Sequence, residues 1–161
     1  MTFEKTPRGS HGARVPSSSG PLSRWIGRQM IRQHRRKGGK FMGMDVLFLT
    51  TTGARTGQLR ETPVAWFPDG ANAWLIVASW AGSASHPGWY HNIAAHPGRV
   101  EIETGDRRLN VTPVQLSGAQ RDNAWQRIIA AQPRYARYQA KTDRLLPVIR
   151  LTPAAPDTSG A

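Results

Sequence analysis

Along the first twenty residues polar, glycine and proline positions dominate, and apolar side chains are too sparse to make a face of any period. Such a stretch buries too little surface to offset its ordering entropy, so residues 1–20 are expected to be a disordered basic arm. From residue 21 the pattern changes. Leu22, Trp25, Ile26 and Met30 recur at helical spacing, and Arg24, Arg28, Arg32, Arg35, Arg36 and Lys37 fill much of the rest. Pro21 at the start and Gly38-Gly39 at the end punctuate it, so residues 21–39 read as a basic amphipathic helix with its stop. After Lys40 the period shortens to that of strands. Residues 45–51, 60–67 and 72–79 are β candidates, the second and third joined through Pro68-Asp69-Gly70. A short helix over 89–95 stops before His96-Pro97-Gly98. Strands over 100–104 and 107–116 form a hairpin across Gly105-Asp106. Ser117 caps a helix that carries Ala124, Trp125, Ile128 and Ile129 on one face. Pro133 ends or kinks it, a short polar helix runs through Tyr135 and Tyr138, and 147–151 forms a last strand. About six strands with late helices make an α+β domain over 40–152, its antiparallel sheet closed as a small barrel. Residues 153–161 read as a flexible tail. A doubly wound parallel sheet is excluded, because strands do not alternate with long helices.

Composition narrows this picture. A chain of 161 residues suits one domain with a proper core. It has no cysteine, which removes disulfides, thiolate metal sites and thiol nucleophiles, and which fits a cytoplasmic address. No apolar run reaches the roughly 18 residues of a membrane span, and the N-terminus lacks a secretory apolar region. Net charge is +12, which in general suggests nucleic acid or an anionic surface. Residues 1–45 hold ten Lys and Arg against two acids, so the excess sits on the arm and helix. That asymmetry argues against a DNA-binding core. The basic helix has two readings. It docks peripherally at the inner face of an anionic membrane, each basic residue adding roughly 1 kcal/mol, or its apolar stripe caps the core.

Candidate chemistry centres on residues 50–63, Thr-Thr-Thr-Gly-Ala-Arg-Thr-Gly-Gln-Leu-Arg-Glu-Thr-Pro, between two strands. Glycines let a backbone turn its N–H groups inward, and arginines supply planar forks for phosphate or carboxylate. The turn is no Walker A loop, since it lacks the Gly-Lys-Ser/Thr ending and leads to a strand. What remains is an anion cradle with Arg55 and Arg60 as charge and the Thr56 and Gly57 N–H groups as donors. An ordinary solvated hairpin loop is the competing reading. His86, His91 and His96 recur every five residues, a poor spacing for a helical metal pair, so no metal site is expected. No nucleophile elbow and no paired carboxylates stand out. Redox chemistry by a bound cofactor asks less of the protein, and Ser79, Tyr135 and Tyr138 are candidates for positioning a substrate.

Five blocks together resemble one family: residues 49–63; Val-Ala-Ser at 77–79; His-Pro-Gly-Trp-Tyr-His-Asn at 86–92 with Ala-His-Pro at 95–97; 133–144; and 147–151. They look like the deazaflavin-dependent nitroreductase and quinone reductase family over about residues 40–152. The resemblance implies a split β-barrel that binds coenzyme F420, a deazaflavin with a phosphate and an oligoglutamate tail. It implies that Arg55, Thr56, Gly57 and Arg60 hold phosphate and tail, and that Thr62, Pro63 and Val64 run beneath the ring. Val77, Ala78 and Ser79, with Trp80 beside them, line the ring's other side. Trp89 and Asn92 support the phosphate, and Tyr135 and Tyr138 wall the substrate pocket. The implied reaction passes a hydride from reduced deazaflavin to a quinone-like, nitro or other conjugated acceptor. The family often carries a basic residue where Ala54 stands, a lysine where Trp80 stands and a tyrosine where Gln132 stands. An indole at 80 either covers the ring or narrows the pocket. Two other readings stay open beside this one: a split barrel that binds flavin mononucleotide (FMN), and a non-catalytic deazaflavin carrier or basic-arm binder of lipid or nucleic acid.

Overall fold

The computed structural model describes residues 3–6, 10–14, 29, 40–41 and 43–156. All of the expected basic helix except Gln29 lies outside the described residues, as does the end of the tail. In chain order the elements are β1 (Lys40–Phe41), β2 (Met44–Thr52), β3 (Leu59–Ala65), β4 (Phe67–Pro68) and β5 (Trp74–Val77). A 3-10 turn (Trp80–Gly82) and α1 (Gly88–Ala95) follow, then β6 (Glu101–Thr104), β7 (Arg107–Gln115), α2 (Gly118–Ala131), α3 (Arg134–Ala140) and β8 (Val148–Pro153). The six longer strands are those expected; β1 and β4, two residues each, are additional.

Among the described residues the named strands all pair antiparallel, in the order β1-β2-β6-β7-β8-β5-β4, with β3 pairing β2, and an isolated parallel bridge joins Ala13 to Ser83. β3 folds back on β2 from Thr52↔Leu59 to Val46↔Ala65 across the 53–58 turn. The strand breaks at Trp66, whose N–H donates to the Asp45 carbonyl at 3.0 Å, and only Phe67–Pro68 go on to pair β5. The Pro68-Asp69-Gly70 turn exists, pinned by Arg127 at 3.0 Å and by Arg150, both on the Asp69 carboxylate. These guanidinium bonds outweigh burial and hold that carboxyl below its ordinary pKa.

β5 shows why the sheet curls around one core and backs onto another. Trp74 and Ile76 face inward with Leu47, Leu49, Ile102 and Ile149, where α1 adds Trp89, Tyr90 and Ile93. Leu75 and Val77 point the other way, against Val148, Leu116 and the helical residues Ala124, Trp125, Ile128 and Tyr135. A strand covered on both faces reads as a continuous apolar run, as Trp-Leu-Ile-Val does. β3 and β5 approach each other without pairing, so the barrel is split along that line.

Two described pieces of the arm, 3–6 and 10–14, meet the rest of the fold. The Phe3 ring meets Tyr90 edge-on at 5.7 Å, and the Tyr90 hydroxyl donates to the Glu4 carbonyl at 2.9 Å. The His11 N–H donates to Asp143 at 2.7 Å, and the Ala13 N–H to the Gly82 carbonyl at 2.9 Å. Backbone hydrogen bonds do what the sparse apolar side chains do not. The tail is also paired at its start, where the Ala154 N–H donates to the Asn110 carbonyl at 2.9 Å.

Candidate functional site

Three N–H groups of the turn between β2 and β3 are spent within it. The Gly53 N–H donates to the Gln58 carbonyl at 2.7 Å, the Gly57 N–H to the Gly53 carbonyl at 2.9 Å, and the Gln58 N–H to Thr56 Oγ1 at 3.2 Å. Gly57 sits at φ +68, where a side chain is strained. Its place is thus conformational. The expected Gly57 donor is not available to a ligand, and the residue faces a separate groove behind the hairpin, with Leu59 and Val111. What the turn does present is charge. Arg55, Thr56 and Arg60 line an open groove of about 1080 Å³ with Tyr90, His91 and Asn92 of α1 and with Phe3, Glu4 and Lys5 of the arm. Among the described residues no carboxylate pairs with Arg55 or Arg60. The His91 imidazole is held below its usual pKa by burial and then by Arg55, and Arg55, Arg60 and Lys5 are the basic side chains that line the groove.

Asn92 ties α1 to this cradle. Its Oδ1 accepts from the Ala54 N–H at 3.0 Å and its Nδ2 donates to Thr51 Oγ1 at 3.1 Å. Asn92→Ala is expected to cost about 1–2 kcal/mol, read as a lower urea midpoint at unchanged slope. An unaltered midpoint would show that water replaces the amide at no cost.

A second groove of about 790 Å³ opens along the split between β3 and the end of β5. One wall is Thr62, Pro63, Val64 and Ala65; the other is Val77, Ser79 and Trp80; Trp89, Asn92 and Tyr135 close the base and side. It shares Arg60, Gly88 and Asn92 with the cradle, so the two form one continuous trough. Most of the residues expected at the site therefore come together. Ala78 does not reach it: the residue is fully buried, and its N–H donates to the Pro147 carbonyl at 3.0 Å. Tyr138 stands behind Tyr135, ring on ring edge at 5.5 Å, rather than in the trough. Tyr135 is 6% exposed, and burial, then Tyr138, pushes its hydroxyl up to about 12. That hydroxyl stays protonated across the working range, with Met44 Sδ at 4.0 Å.

The sequence reading missed what supports the Ser79–Trp80 wall. Arg144, 2% exposed, donates from Nε to the Ser83 carbonyl at 2.7 Å, from Nη1 to Ala78 at 3.0 Å and from Nη2 to Ser79 at 2.8 Å. Nη1 also meets His86 Nδ1 at 3.1 Å. Burial lowers the guanidinium to about 10, so it is still a cation. Burial and then Arg144 lower His86 to about 4, so the ring is neutral and its Nδ1 is an acceptor. Between them the chain makes a tight left-handed turn, with Trp80 at φ 39, Ala81 at 52 and Gly82 at 83. Glycine is required at 82, where a Cβ would lie 2.5 Å from the Tyr138 carbonyl oxygen. No local signal marks Arg144, which is 65 residues from Ser79 and looks in sequence like the other arginines. Only the packing reveals that its partners are carbonyls.

The model of the F420H(2)-dependent quinone reductase family matches residues 23–153. An F420H(2)-dependent quinone reductase of Mycobacterium tuberculosis (strain H37Rv) is 40% identical over 147 residues, 81% of this chain and 97% of that one. A solved F420-H2 dependent reductase (FDR-A) is 38% identical with a TM-score of 0.59, over 66% of this chain and 92% of its own. A second structure, described as a domain-swapped dimer, is 34% identical with a TM-score of 0.60, over 81% and 98%.

Proposed function

Because this chain belongs to the F420H(2)-dependent quinone reductase family, we propose that its trough seats reduced coenzyme F420 and a quinone-like acceptor side by side. The protein is an F420-dependent oxidoreductase. The observation that carries the site assignment is that the slot shares Arg60, Gly88 and Asn92 with a groove whose two arginines have no described carboxylate partner. The donor set fits the cofactor: a planar ring suits the slot, and a phosphate with glutamates suits Arg55 and Arg60. When bound, the reduced deazaflavin supplies a hydride from its C5 position.

The chain's own residues do the rest. Thr62, Pro63 and Val64 on one side and Val77 and Ser79 on the other confine a flat ring and exclude water. Asn92 fixes the cradle, and Trp89, 8% exposed, gives the slot a rigid base. Ser79 and Tyr135 line the same slot, and their hydroxyls are the candidates to donate hydrogen bonds where an acceptor oxygen gains negative charge. For Tyr135 that means turning from Met44 Sδ, its partner at 4.0 Å. Nitro compounds are acceptors of the same two-electron kind. FMN is the poorer fit, since it brings one phosphate and no carboxylates to the paired arginines. No helix of the described residues is long and apolar enough to cross a membrane.

Arg60 lies in both halves of the trough and gives the direct test. Arg60→Ala is expected to weaken F420 binding about three- to tenfold by spectroscopic titration, with the melting temperature unchanged. Equal affinity would remove the cradle from the cofactor site.

A further inference from the structure

We propose that Trp80 is a stacking platform for the hydride acceptor and sets a preference for fused-ring quinones over single-ring ones. The inference rests on the placement of the reaction in the trough described above. Among the described residues Trp80 is the one exposed large aromatic, at 37%, and it lines the trough opposite Pro63 and Val64, on the same border as Tyr135. Its backbone is strained, at φ 39, a region that bulky side chains rarely adopt.

The fold holds that conformation from several directions. Arg144 binds the Ser79 and Ser83 carbonyls on either side of it. The Gly82 N–H donates to the Ser79 carbonyl and the Ser83 N–H to the Trp80 carbonyl, each at 2.9 Å. The arm adds Ala13, which bonds the Gly82 carbonyl at 2.9 Å. A strained residue held this firmly at a site border is where function is expected. An indole there offers a neutral π-face and one N–H donor. It recognises planarity and area rather than charge, and two fused rings cover it better than one.

The test uses full-length enzyme with reduced F420 and two acceptors, a naphthoquinone and a benzoquinone. In Trp80→Leu the ratio of kcat/KM for naphthoquinone over benzoquinone is expected to fall about three- to tenfold, mostly through KM. Trp80→Phe keeps an aromatic face on the same turn and is expected to recover most of that ratio. An unchanged ratio in Trp80→Leu overturns the assignment. So does F420 affinity that falls as far as the quinone ratio, which would put the indole over the cofactor. Wild-type enzyme that reduces neither quinone would instead sink the placement of the reaction, and this inference with it.

Discussion

Arg144→Leu is expected to lower the unfolding free energy by about 3–5 kcal/mol and the melting temperature by about 10 °C. The leucine fills part of the space but donates nothing. The carbonyls of Ala78, Ser79 and Ser83 then lose a guanidinium donor in a buried setting, and His86 Nδ1 loses its partner. Each abandoned buried acceptor costs about 1–3 kcal/mol, and partial entry of water keeps the total below the simple sum. Arg144→Lys should recover only a fraction, because a single ammonium cannot reach carbonyls that a planar fork spans. The turn that carries Trp80 loosens in both variants, so quinone discrimination should decline along with stability. Chemical denaturation of the three proteins decides the matter. A loss under about 1 kcal/mol in Arg144→Leu would mean that the guanidinium is solvated in solution.

Acidification should remove about 3 kcal/mol of stability through His86 between pH 6.5 and 4. The folded-state pKa is depressed, from 6.5 to about 4, since protonation would place a second cation beside Arg144 in a buried pocket. The unfolded chain therefore takes up a proton through this interval that the native chain refuses. Stability is complete above pH 6.5 and declines as pH falls towards 4. His91 is depressed too and adds in the same direction, whereas Asp69, also depressed, acts below the carboxylate value of 3.8. His86→Gln separates the contributions, because an amide offers an acceptor to Arg144 and does not titrate. The difference in stability between wild type and His86→Gln should change steadily across this interval. Parallel pH profiles for the two proteins would refute a buried neutral His86.

The elements that could be read in the sequence are those with a local cause. Strand alternation, the Gly105-Asp106 turn and the apolar stripe of α2 each follow from a few adjacent residues, and all reappear in the fold. The trough was legible for a different reason, since Arg55, Arg60, Ser79, Trp89 and Asn92 fall in short blocks whose order carries information. What could not be read was partnership across long distances. Residues 60–67 fit either neighbour by alternation, and the fold divides them, with 60–65 on β2 and Phe67 on β5. In the described part of the arm, Glu4, His11 and Ala13 make contacts through backbone atoms, which side-chain patterning does not report. Arg144 was invisible because nothing in a sequence distinguishes a guanidinium that meets carbonyls from one that meets water.

The split between β3 and β5 has a consequence for solubility as well as for the site. A strand that pairs on one side alone presents an open row of backbone groups, the usual template for edge-to-edge aggregation. β3 is such a strand, paired only to β2. Its sequence blunts the hazard with Arg60, Glu61 and Pro63, two charges and a residue without an N–H, and these same side chains line the trough. A cofactor lying along β3 would cover the edge further. The residues that make room for a ligand are thus also the ones that make this edge a poor template for another strand.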